Sequence, residues 1–381
     1  MNRLDDAYRQ VCECLFLATQ DMVLNMRIQI GFLFVLAVVA IVPTGLSQRR
    51  PIKVLLLFDM EGVSGATDFK HTSFSHAAEY AEGRKSLTAD VNAAIAGLKA
   101  AGATEIVVVD GHGSGNTTGP DVPEDQLLPP AKMLYRDAPF DIYMDSYDHS
   151  FDAIAAVGMH AAAGNSVGFL SHTYTFEDIE YKINGVPFNE SMILAAGAAR
   201  LKIPLIMVSG DDQLEKEIHR AMPWVKYASI KHAVDRSKAD ALPREEASRR
   251  IEAAAREGLE KLTEAKLPDW HGPYRFSLTF QDEAQARAAS LVPGAELLAN
   301  PVSVQIRAND FEEGYRLSLR LISLAGIVAR GDATRAVLNA QPNAAQLRVN
   351  TTDWLYDRFL NRLPPQAAGP GGQRQRYWGA R

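Results

Sequence analysis

Three apolar runs in this 381-residue chain each lead directly into an acidic residue or a histidine. Lys53–Asp59 reads KVLLLFD and continues to Glu61; Thr104–Asp110 reads TEIVVVD and continues to His112; Asp152–Met159 reads DAIAAVGM and is followed by His160. Runs that are apolar throughout, rather than at alternate positions, suit strands buried on both faces. Such strands occur in parallel sheets covered by helices. Between the first two runs, Ser86–Ala101 (SLTADVNAAIAGLKAA) repeats apolar residues at helical spacing, with Gly102 as its stop. Strand, helix and strand in that order predict an α/β fold: a mostly parallel sheet flanked by helices, with its site at the strand C-terminal ends.

The rest of the chain extends this pattern. Ile179–Ile183, Asn184-Gly185 and Val186-Pro187 read as a hairpin with an Asn-Gly turn. Ser191–Leu201 is Ala-rich and helical, and Pro204–Val208 is a further buried strand. Ser209-Gly210-Asp211-Asp212 then caps a helix running to Met222. Pro243–Leu262 reads as a long polar helix, Phe276–Phe280 and Val302–Arg307 as strands of period two, and Phe311–Val328 as a helix. Beyond Asp332 the composition changes, and residues 363–381 (LPPQAAGPGGQRQRYWGAR) are Pro-, Gly- and Gln-rich, a composition expected to lack fixed structure. The expected division is therefore residues 1–48 as an N-terminal extension, 49–332 as the α/β body and 333–381 as a C-terminal extension.

The N-terminal extension carries a targeting signal. Ile28–Val42 is an uncharged apolar run, Arg27 precedes it, and small residues follow within Pro43–Gln48. A basic flank, an apolar stretch and a small-residue exit make a signal peptide, and the run falls short of the about 20 residues a spanning helix needs. An uncleaved membrane anchor is the alternative. Either way the body is expected outside the cytoplasm, periplasmic or secreted. Met26, just before this pattern, is a plausible translation start. The two cysteines, Cys12 and Cys14, both precede the run, so the body has neither a disulfide framework nor a cysteine-based site. The net charge of −6 comes without a basic stripe, which argues against a nucleic-acid partner.

The chemistry must then come from His, Asp and Glu. Asp59 and Glu61 stand at i and i+2 of an extended chain and point to the same face. Two carboxylates so placed repel unless a cation or a shared proton accommodates them, or unless the strand simply ends in an exposed acidic loop. His112 sits in the Gly-rich stretch Asp110–Asn116, which lacks the lysine of a phosphate loop. It is either a ligand reached by a close backbone or an incidental residue of a flexible turn. His160 ends the third run, His172 follows twelve residues later, and Glu190 opens the Ala-rich helix. Three strand ends delivering such side chains to one sheet edge point to a metal site of N and O donors, suited to zinc and also to manganese or cobalt. Asp211 and Asp212 read foremost as helix caps. His71, His76, His149, His219, His232 and His271 lack the strand-end context and read as surface or loop residues.

The segments FDMEGVSG (58–65), VVVDGHGSGN (107–116), GMHA (158–161), GFLSHTYTF (168–176), INGVPFNE (183–190) and VSGDD (208–212) resemble, in order and spacing, the metallopeptidase family of D-aminopeptidases. The resemblance runs from Lys53 to Val328. It implies two zinc ions per chain, with Asp59 bridging them, Glu61 and His112 completing one site, and His160 and Glu190 the other. It implies His172 as the catalytic histidine, a two-lobed α/β protomer, a ring-shaped homo-oligomer, and short peptides with N-terminal D-amino acids as substrates. Two positions depart from the family pattern: Leu57 stands where a serine is usual, and Asn189 where glycine is frequent. Two other readings use the same residues. One is a metal-dependent amidase or esterase acting on a non-peptide substrate; the other is an exported protein that only binds a metal or a small ligand.

Overall fold

The computed structural model describes residues 50–362 and 376–379, so the expectations for residues 1–48 fall outside it. Along the chain come β1 (Lys53–Phe58), α1 (Ala77–Ala100), β2 (Glu105–Asp110), β3 (Ala131–Met133), β4 (Ala153–Val157), β5 (Asp178–Ile183), β6 (Val186–Pro187) and α2 (Glu190–Ala199). They are followed by β7 (Leu205–Asp211), α3 (Asp212–Ala221), β8 (Lys226–Asp235), β9 (Lys238–Ala241), α4 (Arg244–Glu260) and β10 (Tyr274–Phe280). The chain continues through α5 (Glu283–Ala289), β11 (Glu296–Leu297), β12 (Ser303–Ala308), α6 (Phe311–Asn339) and α7 (Ala344–Phe359).

A seven-stranded sheet in the order β3-β2-β1-β4-β7-β8-β9 forms the first layer. Its strands are parallel except for the β8–β9 hairpin. The uniformly apolar character of β1 has a direct structural cause. Val54, Leu56 and Phe58 pack on one face with Leu87, Val91 and Ile251, while Leu55 and Leu57 pack on the other with Ile154 and Ala156. All five are fully buried, and each contributes about 1.5–3 kcal/mol by leaving water. Truncating one of them to alanine costs about 2–5 kcal/mol, because the cavity adds to the transfer loss.

The second layer is a five-stranded antiparallel sheet, β11-β12-β10-β5-β6, which extends the first core through Tyr181, Phe276 and Ile306. Its strands alternate, as at Tyr274–Phe280, where Tyr274, Phe276, Leu278 and Phe280 are buried and Arg275 is exposed. Period-two strands form a half-exposed antiparallel sheet for that reason. The two sheets make the α/β architecture that the three apolar runs predict, with the antiparallel part set apart from the parallel one.

Several elements differ from expectation. The first helix begins at Ala77, because its opening turns carry mostly polar and small residues that hide the apolar period. The β8–β9 hairpin, β3, α5 and α7 carry no pattern that singled them out. The final long helix does not stop near Val328: α6 runs unbroken through Asp332 to Asn339, so the change in composition there is not a structural boundary. Arg376–Gly379, expected to lack structure, is docked, with Tyr377 bridged to Arg136 and Gly379 to Asp110. Among the described residues, no helix is long and apolar enough to cross a membrane.

Candidate active site

The strand ends β1, β2 and β4 lie side by side, so the residues that follow them converge. Asp59 N donates to Val157 O at 2.8 Å, Gly111 N to Phe58 O at 2.8 Å, and Gly62 N to Gly158 O at 2.7 Å. Gly62 is required by this crossing, since a Cβ there would sit 2.0 Å from Met159 O. The result is two clusters, within each of which the ligand atoms lie no more than 4.8 Å apart: Asp59, Glu61 and His112 in one, His160, His172 and Glu190 in the other. All six residues singled out in the sequence are thereby brought together.

Each histidine is oriented by a backbone carbonyl. His112 Nε2 donates to Thr72 O at 2.8 Å, His160 Nδ1 to Ala161 O at 3.0 Å, and His172 Nδ1 to Leu170 O at 2.7 Å. A carbonyl only accepts, so each of these nitrogens holds the hydrogen and the other nitrogen of the neutral ring presents a lone pair. The lone pairs of His112 and His160 face carboxylates. His112 Nδ1 is 2.9 Å from Asp59 Oδ1 and 3.3 Å from Glu61 Oε2; His160 Nε2 is 3.4 Å from Asp59 Oδ2 and 3.7 Å from Glu190 Oε1. The His160 distances allow charge attraction without hydrogen-bond alignment, and His160 Nε2 and Glu61 Oε2 are buried without a hydrogen-bond partner. Buried polar atoms are rarely left so. Lone pairs facing carboxylates across a buried space are the arrangement a cation resolves.

The titration behaviour follows from the crowding. Burial works to raise the Asp59 carboxyl, but the adjacent His112 and His160 imidazoles hold it well below its ordinary range. Burial and the Asp59 charge raise Glu61, and burial raises Glu190. Burial would lower His160, but Glu190 and Asp59 carry it to about 10. His172, buried and beside His160, is pushed down to about 3.

Neighbouring groups fix the carboxylates. Tyr143 OH donates to Glu190 Oε2, and Tyr174 N to Glu190 Oε1 at 2.7 Å. Tyr174 reaches that position with φ of 67°, a strained left-handed backbone for a non-glycine residue. Asn189, one of the two departures from the family pattern, caps α2 by accepting Met192 N and donates to Glu217, which sets the orientation of the turn carrying Glu190. Leu57, the other departure, is a fully buried core residue. The buried Lys231 donates to Glu61 O at 2.7 Å and to Ala66 O, tying down the loop after β1. Asp211 caps α3 and also accepts Phe169 N at 2.9 Å, anchoring the loop that carries His172. Asp212 accepts Ala233 N. Neither aspartate lines the cleft; Asp211 is the N-cap of α3 and Asp212 an acidic residue of its first turn.

Above the cluster opens a cleft of about 710 Å³, lined also by Phe140, Tyr143, Tyr174, Phe176 and Tyr315. Sequence reasoning missed these aromatic residues, and Lys231 as well. Tyr143 and Tyr174 lie in irregular segments where no periodicity distinguishes them, and Lys231 sits in a strand whose sequence gives no hint of burial.

A family model described as D-aminopeptidase matches residues 52–319. The D-aminopeptidase of Bacillus subtilis (strain 168) is 31% identical over 277 residues, which is 72% of this chain and 97% of that protein. A solved structure, the Zn-dependent D-aminopeptidase DppA from Bacillus subtilis, described as a self-compartmentalizing protease, is similar with a TM-score of 0.66 at 28% identity, over 72% of this chain and 98% of that one. Both layers and the convergent strand ends fall within the matched span, and the chain belongs to the D-aminopeptidase family.

Proposed function

We propose that the chain is a dinuclear zinc-dependent aminopeptidase that hydrolyses short peptides or amides with N-terminal D-amino acids. One observation carries the metal reading: His112 and His160 each commit one nitrogen to a carbonyl and turn the other toward the cluster of Asp59, Glu61 and Glu190. The orphaned Glu61 Oε2 and His160 Nε2 and an all-N/O donor set fit zinc. Glu61 and His112 would hold one ion, His160 and Glu190 the other, with Asp59 shared between them. When bound, the ions would supply Lewis acidity at the scissile carbonyl and lower the pKa of the attacking water.

The remaining work belongs to the chain. His172 is neutral at working pH, with Nδ1–H held by Leu170 O, and its Nε2 would accept the proton that the attacking water loses and deliver it to the departing amine nitrogen as the C–N bond breaks. Tyr143 and the Tyr174 amide keep Glu190 oriented. The aromatic walls of the cleft exclude water and favour a small, partly apolar substrate. Preference for D-residues and a ring-like homo-oligomer are proposed from the solved relative, described as a D-aminopeptidase and as self-compartmentalizing. Residues 28–42 place the body outside the cytoplasm in this reading, where D-amino-acid peptides arise as cell-wall fragments.

The test is metal content and hydrolysis measured together on the purified protein, using paired D- and L-amino-acid amides with and without chelator. Two zinc ions per chain and chelator-sensitive cleavage of the D-series are expected. Preference for the L-series removes the chirality assignment. Metal binding without cleavage of either series moves the search to other amides and esters, or to a binding protein.

A further inference from the structure

Part of the catalytic cleft is built from outside the stretch that the family model matches, residues 52–319. Tyr377 and Gly379 line the cleft together with Asp59, His112 and His172. Tyr377 exchanges both of its backbone bonds with Arg136, N to O at 2.8 Å in each direction. Gly379 pairs in parallel with Asp110, the last residue of β2 and two positions before His112. The approach is so close that a Cβ at Gly379 would lie 1.8 Å from Asp110 O. The Arg376 guanidinium lies 3.8 Å over the Tyr135 ring, and Trp378 is buried.

We infer that Arg376–Gly379 is a specificity-determining wall of the site, which closes the cleft on its His112 side and restricts substrates to short peptides. The inference rests on the aminopeptidase reading above. In an α/β sheet, ligands gather at the carboxyl ends of the strands, and one way an extended peptide binds is by pairing with exposed strand backbone at a sheet edge. Here the chain's own segment already pairs with Arg136 and Asp110. A peptide long enough to run along that edge must first displace the segment, with its Arg136 pairing and its buried Trp378. A dipeptide that stays over the metal ligands meets no such competition.

The experiment compares kcat/KM for tetra-D-alanine and di-D-alanine in the full chain, in its Gly379→Val variant and in a chain ending at Arg362. Valine at 379 cannot make the Asp110 approach, and the shortened chain lacks the segment altogether. The ratio of tetrapeptide to dipeptide is expected to rise about tenfold or more in both variants, the scale of steric discrimination in a pocket, through a lower KM for the tetrapeptide. An unchanged ratio overturns the inference. So does a parallel rise or fall for both substrates, which would mark the segment as a plug or as a support for His112. Should the shortened chain fail to fold, Gly379→Val alone decides. If the unaltered enzyme cleaves neither peptide, the aminopeptidase reading itself fails, and the wall assignment falls with it.

Discussion

The imidazole rings of His160 and His172 stack with centroids 4.0 Å apart and planes 10° from parallel. This relationship separates two roles that distance alone leaves equivalent. His172 lies near enough to His160 and Glu190 to share one ion. An imidazole nitrogen, however, binds through a lone pair in its own ring plane, and the parallel, offset planes of the two rings would direct their lone pairs to different places. In the proposed reading, His160 would therefore serve the metal and His172 proton transfer. His172→Ala is expected to keep its full metal content and to lose turnover by at least ~100-fold, the scale of a general acid–base group. Metal analysis beside steady-state kinetics checks this, and a variant that has lost an ion would show His172 to be a ligand.

Asp59 touches both clusters: Oδ1 faces His112 and Oδ2 faces His160. A carboxylate that spends one oxygen on each side is the natural bridge. Asp59→Ala should lose both ions, whereas Glu190→Ala should retain more of the His112-side ion. Elemental analysis after dialysis reads the difference. Two ions retained in Asp59→Ala would refute the bridge.

Lys231 is buried and gives its ammonium hydrogens to Glu61 O and Ala66 O. Burial draws its pKa down to about 7, against the pull of Asp211, Asp90 and Glu61. Lys231→Met leaves two buried carbonyls without donors, each costing about 1–3 kcal/mol, partly offset by relief of a desolvated charge. A net loss of about 2 kcal/mol is expected in denaturant unfolding, with metal affinity weakened roughly tenfold because the loop carrying Glu61 is no longer fixed. A variant as stable as the parent, with unaltered metal affinity, would contradict this role.

Asp90 supplies the pH dependence. Its carboxylate accepts Ser64 N at 2.7 Å and Ser64 Oγ at 2.9 Å, and burial nevertheless raises its pKa from 3.8 to about 6. The folded chain therefore holds a proton between about pH 4 and pH 6 that the unfolded chain has released. Stability from this group falls as pH rises through that window, by on the order of 2–3 kcal/mol in total. Asp90→Asn cannot titrate and keeps the Ser64 contacts. Its stability relative to the parent should rise from pH 4 to pH 7 and then level off. Melting curves across that range test the sign, and a difference independent of pH would rule the buried titration out.

What the sequence determined by itself was the parallel part of the sheet and the residues that gather at its strand ends. Val54–Phe58 is apolar at every position because both faces of β1 are covered, and that uniformity is legible without a structure. Strand ends are short-range features, so Asp59, Glu61, His112 and His160 announced themselves by position, and Glu190 by opening a helix. Only the tertiary structure decided how these residues are held. Thr72, Ala161 and Leu170 orient the histidines through carbonyls that every residue possesses, so no residue type marks them. Tyr143, Tyr174 and Lys231 reach the site from irregular or unremarkable segments through contacts distant in sequence. The docking of Arg376–Gly379 was invisible for the same reason: Pro, Gly and Gln in the residues before it predict little order, whereas backbone pairing with Asp110 and Arg136 depends on an edge that exists only once the sheet has formed.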